Sequence, residues 1–163
     1  DGDGAMYHEV QINILNTIFD LLLVKAYRNG VPARHGWHVE GLESAVKLDG
    51  TPNDPADTDE GWSVEIAIPW AALKETAGAQ CPPLAGDTWR VNFSRVQWRL
   101  EPTDGGYRKV RNAETGRPLA EDNWVWSPQR RINMHDPEYW GFVRFVSSEA
   151  IDAPSQPGEP KSQ

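Results

Sequence analysis

The sequence predicts an all-β fold, an antiparallel β-sandwich with one short helix, on three observations. Short runs of strict apolar–polar alternation recur along the chain. Clusters of Gly, Pro, Asn and Asp separate them, and a single Pro-led segment has the character of a helix start. The clearest run is residues 86–99, GDTWRVNFSRVQWR. A Gly-Asp turn opens it; Trp89, Val91 and Phe93 then fall on one side, and Arg90, Asn92 and Ser94 on the other. Trp98 shares the parity of the polar row. The apolar side needs a second layer over it, and the polar side, ending in an aromatic, suits a ligand such as a sugar that is polar but has flat apolar faces.

The other elements follow in order. Residues 6–15 (MYHEVQINIL) alternate, with Val10, Ile12 and Ile14 on one side and Tyr7, Glu9, Gln11 and Asn13 on an unusually polar outer row. Residues 18–24 form a more buried strand, and 27–38 a loop bearing Gly, Pro and His. Residues 42–48 are a weaker strand, and 49–61 (DGTPNDPADTDEG) are dense in turn residues and carboxylates. Trp62, Val64, Ile66 and Ile68 define a strand with Glu65 on its opposite side. Pro69 stops it, and Pro-Trp-Ala-Ala-Leu starts the helix. Residues 77–85 are loop. After the central strand, residues 101–122 are a polar hairpin around 107–111, residues 123–126 a short aromatic strand, 127–138 irregular, and 140–146 (WGFVRFV) the last strand. Residues 1–147 are read as one sandwich domain and 148–163, which lose every apolar period, as a Pro/Ser-rich tail or linker.

Composition narrows the partners. The 163 residues carry a net charge of −8, so nucleic acid and anionic membrane surfaces are disfavoured. No run approaches the ~18 apolar residues of a membrane span. Cys81 is the only cysteine, which leaves no internal disulfide. Eight Trp are an excess that the fold must place. The opening Asp-Gly-Asp-Gly reads as a turn into a strand already under way, so the chain is expected to be cut from a longer one with any targeting signal upstream.

Four constellations bear on chemistry. The acidic loop offers Asp54, Asp57 and Asp59 as calcium-type oxygen ligands, but its spacing is not that of a helix–loop–helix site, and Asx-Pro and Asp-Gly pairs make turns unaided. His35-x-x-His38 has metal-ligand spacing without a third ligand. Met134-His135 suggests a haem or metal redox domain only if a distant partner such as His8 supplies the second axial ligand. Glu9 and Glu65 would suit a glycosidase if they faced one another. No GxSxG, HExxH or paired Cys is present.

The segments YHEVQINILNTIFDLL (7–22), GWSVEIAIPWAAL (61–73), GDTWRVNFSRVQW (86–98) and NWVWSPQRRINMHDPEYWGFVRF (123–145) closely resemble the family 9 carbohydrate-binding modules, in the same order and over most of the chain. The likeness is greatest to the family-9-like branch found beside secreted polysaccharide-degrading enzymes. The resemblance implies a β-sandwich of the sugar- and haem-binding superfamily, without catalytic activity, secreted, periplasmic or at the cell surface, with a structural Ca2+ as companion. Its partners would be a poly- or oligosaccharide and a catalytic domain elsewhere in the gene product. In the sugar-binding members two Trp sandwich a sugar ring. One, with a carboxylate partner, belongs to a strand preceding the start of this chain, and the second position is Met134 here. A binding Asn falls on Arg131, a binding Arg on Gln11 and a binding Gln on Ser94. A thioether lacks the flat π face that stacks on a sugar. The platform is therefore expected from Trp126, Trp98 or His135 around Met134, with Glu9, Gln11, Asn13, Asn92 and Arg95 as hydrogen-bonding groups. The alternative is a structural or docking module that kept the fold and lost the clamp, its Trp mostly buried. Without its upstream strands such a sandwich would expose an apolar edge and face, to be closed by a preceding segment or by another chain.

Overall fold

The computed structural model describes residues 6–25, 30, 33–77 and 80–148. The expected opening turn and nearly all of the expected tail lie outside the described residues. The chain is all-β and antiparallel with one short helix, Trp70–Leu73 (α1), and a 3-10 turn at Pro137–Tyr139. The strands pair two by two. Tyr7–Ile12 (β1) pairs Ile18–Leu23 (β2), and Glu43–Asp49 (β3) pairs Gly61–Ala67 (β4). Thr88–Val91 (β5) and Ser94–Gln97 (β6) are followed by the hairpin Leu100–Thr103 (β7) and Gly106–Lys109 (β8), then by Asp122–Val125 (β9) and Gly141–Arg144 (β10). β10 pairs β5, and β9 pairs β6.

Every alternating run is a strand, but the run at 86–99 is not a single one. It breaks at Asn92 and Phe93, and its halves take different partners. Backbone pairing carries on across the break, where the Trp126 N–H donates to the Phe93 carbonyl at 3.0 Å. This stretch therefore ties the end of the domain to its middle.

The core sits on β2. Leu21, Leu22 and Leu23 are consecutive and all buried, so this strand is covered on both faces, as a non-alternating apolar run requires. Tyr7, Leu21, Leu23 and Ala33 form its centre, with Trp140 packed against them. The cover comes from residues 33–39. The Arg34 N–H donates to the Leu22 carbonyl at 2.9 Å, and the Val39 N–H to the buried Asp20 carboxylate at 2.6 Å. His38 Nδ1 lies 2.7 Å from the same carboxylate. Burial works against the charge on Asp20, but the Val39 N–H and His38 outweigh it and hold the carboxyl below its ordinary range. A second aromatic cluster joins α1 to the β5–β10 ladder, with Trp70, Trp89 and Phe145 meeting edge to face at 5.2–5.9 Å.

The all-β, antiparallel character expected from the sequence is present, and among the described residues each ladder has two strands. Ladder faces meant to be covered are partly open. Trp89 and Val91 are half-buried, Phe93 is 60% exposed, and Ile66, Val96 and Phe142 are also exposed.

Candidate functional site

The polar row of β1 is assembled as a network by a residue far along the chain. Tyr7, Glu9 and Gln11 share one face by strand alternation. The Tyr7 hydroxyl and His135 Nδ1 share a hydrogen bond of 3.0 Å, and His135 lies 3.6 Å from Glu9 Oε2. Gln11 Nε2 donates to Glu9 Oε1 at 2.6 Å. Burial holds the His135 pKa below its ordinary value, with the Glu9 charge opposing the shift. Asn13, expected in the same row, instead makes the β1–β2 turn. Its side-chain oxygen accepts from the N–H groups of Leu15 and Thr17, and Asn16 takes the left-handed conformation that Asn tolerates (φ 57°).

From this network the segment 127–136 runs to the central strand. The Asn133 side-chain oxygen accepts the His135 N–H at 3.0 Å, and the Trp140 indole donates to the Met134 carbonyl at 2.9 Å. Arg131 Nε donates to the fully buried Asp136 at 3.1 Å. Gln129 Nε2 donates to the Asn92 side-chain oxygen at 3.1 Å. Glu9, Gln11, His135 and Asn92 are thus joined through one irregular segment, since β1 and β5 do not pair with each other. Within that segment lies a pocket of about 310 Å³, walled by Asn123, Gln129, Arg130, Arg131, Asn133 and Met134.

The indole platform lies elsewhere. Arg95 stands opposite Trp124 in the β6–β9 register, and Trp126 follows at the same parity. Trp124 is 53% and Trp126 46% exposed, and with Phe93 and Arg95 they line one shallow groove. Its geometry is set from below. The Trp126 indole donates to the Val91 carbonyl at 3.0 Å, and Phe93 meets its ring edge to face at 5.3 Å. Gly141 is required here, because a Cβ would come within 2.7 Å of the Trp126 ring. Trp126 and Met134, expected in one site, therefore line different depressions: Trp124 and Trp126 belong to the groove, while Asn123 belongs to the pocket. Trp98 is not a free platform either, because Lys109 Nζ sits 3.2 Å above its ring.

The remaining candidates disperse. In the acidic loop Asp54 accepts the Ala56 N–H, Asp57 the Thr51 hydroxyl, and Asp59 the Thr51 N–H. These carboxylates shape the turn, and among the described residues no three His, Cys, Asp or Glu side chains converge as a metal site. His35 lies against Phe19 and His38 against Asp20, neighbours on β2 that point to opposite faces. His8 stacks on Trp37 at 4.4 Å and meets the Thr76 hydroxyl, on the face of β1 opposite His135, so the two do not converge on one ion. Glu65 is exposed on β4, in a ladder separate from that of Glu9.

The sequence reading takes Trp126 and not Trp124 as a binding residue, although the parity of residues 123–126 places both indoles on one face. Gln129, Arg130 and Asn133 carry no such signal, because their segment is aperiodic. No family model matches the chain, and no curated protein or solved structure matches it.

Proposed function

We propose that the chain is a non-catalytic carbohydrate-binding domain, working beside a catalytic domain of a secreted or surface polysaccharide-degrading protein. The observation that supports this most is the groove. Two indoles on one strand face, one fixed by its own N–H, border a guanidinium, and this suits the alternating C–H faces and hydroxyl edges of a sugar ring. Arg95 is steadied by Gln97 Oε1 at 3.1 Å and presents further donors to hydroxyl groups. The docking alternative expected mostly buried indoles. Trp70, Trp124 and Trp126 are exposed and the other five half-buried. Exposed Phe142 and Ile132 still favour that second reading, since apolar surface of this kind also suits a protein partner.

Affinity gel electrophoresis against neutral and acidic plant and algal polysaccharides tests the proposal. At least one polysaccharide is expected to retard the chain, and Trp124→Ala, which removes an exposed ring, is expected to abolish retardation by the neutral ones while the fold persists. A chain retarded by none of them refutes it.

A further inference from the structure

The pocket at residues 129–134 differs chemically from the groove. It holds two guanidinium groups, and among the described residues no carboxylate lines it, in a chain whose net charge is −8. Both guanidinium groups are positioned from behind. Asp136, fully buried, takes Arg131 Nε at 3.1 Å and lies 4.0 Å from a terminal nitrogen of Arg130. Arg130 stacks on the Tyr139 ring at 3.8 Å. Among the described residues that line or back the pocket, one carboxylate stands against two guanidinium groups. With Nε of Arg131 committed to Asp136, its outer pair of terminal nitrogens forms a fork that matches a carboxylate. Met134 contributes an apolar wall, and about 310 Å³ lies at the small end of ligand pockets, a single-ring size.

We propose that this pocket takes a carboxylate-bearing sugar residue of the hexuronate class, its anion on the outer edge of Arg131 beside Arg130 and its ring against Met134. The assignment rests on the carbohydrate-binding reading above but concerns the neighbouring depression, which shares Val125 with the groove. The overall negative charge does not forbid it. Exposed charges beyond about 8 Å are largely screened at physiological ionic strength, and the local field decides.

The test titrates the chain with methyl glucuronoside, methyl glucoside and acetate, following the backbone amides of residues 129–134 by NMR. The uronide is expected to bind at least about tenfold more tightly than the glucoside, the size of one charge-assisted hydrogen bond, and more tightly than acetate. Arg131→Gln is expected to remove that preference, and Arg131→Lys, which keeps the charge without the fork, to restore part of it. Trp124→Ala is expected to leave it intact. Equal binding of uronide and glucoside, or a preference that survives Arg131→Gln, overturns the assignment. Equal binding of acetate and uronide does so as well, since the site would then read an anion and not a sugar. A chain retarded by neutral glycans in the gel but indifferent to the carboxylate loses this pocket and keeps the proposed function; one that binds no glycan in either assay loses both.

Discussion

Replacing Asp136 with Asn tests whether the pocket wall is held by a buried charge or only filled by a side chain of the right shape. The carboxylate is buried, with Arg131 Nε at 3.1 Å and Arg130 at 4.0 Å. A hydrogen bond between charged groups contributes about 1.5–3 kcal/mol net when one partner is out of water. The Arg130 contact adds little, because its distance is long and its side chain is 59% exposed. Asn keeps an acceptor for Arg131, but it removes the charge. The expected loss is about 2–3 kcal/mol. With a urea slope of about 2 kcal/mol per molar, the unfolding midpoint falls by about 1–1.5 M. Asp122→Asn is the control. That carboxylate meets Arg99 through two contacts of 3.1 Å, and the hydrogen bonds from Arg99 hold its pKa down, yet the pair stands in solvent. Its midpoint is expected to stay at the wild-type value. Two variants with equal shifts would refute the reasoning, because geometry alone and not burial would then set the worth of the pair.

Gly141→Ala is expected to push the Trp126 ring aside, since the new methyl group would lie 2.7 Å from the ring and 2.9 Å from Ser127 Cβ. The cost is about 1–3 kcal/mol. Loss of the hydrogen-bonded indole N–H resonance together with weaker glycan retardation would confirm it; an unchanged resonance would refute it. Stability is expected to fall with acid in two windows. Burial holds His8 and His135 below the ordinary 6.5, opposed by Glu75 and Asp20 for His8 and by Glu9 for His135. The unfolded chain therefore takes up these protons first, and stability declines as pH drops through 6.5 and levels off below the folded values. Asp20 is lowered from 3.8, so its contribution is complete above that pH and is lost as pH falls through its folded value. Urea titrations between pH 3 and 8 check both windows, and a flat profile from pH 7 to 5 would contradict the first.

Much of the fold was legible because alternation is a local record of which face a residue occupies. Val46 and Leu48 on β3, the double-sided burial of Leu21 to Leu23 on β2, and the Pro-led start of α1 all follow from neighbours a few residues apart. The candidate site was legible in part for the same reason. Glu9 and Gln11 share a face by parity, and His135 joins them by a long-range contact that no local pattern encodes, whereas Asn92 meets Gln129 instead. Asn13 escaped because an Asn before a turn satisfies the turn first.

By itself, then, the sequence determined the strands, their polar and apolar sides, and the chemical character of each row. The tertiary structure alone decided which halves of the central strand pair with which partners and that His135 closes on Tyr7, 128 positions away. It also decided that Trp126 and Met134 face separate depressions. The physical reason is range: side-chain parity is set by the backbone over two residues, whereas partner choice is set by the free energy of bringing distant segments together.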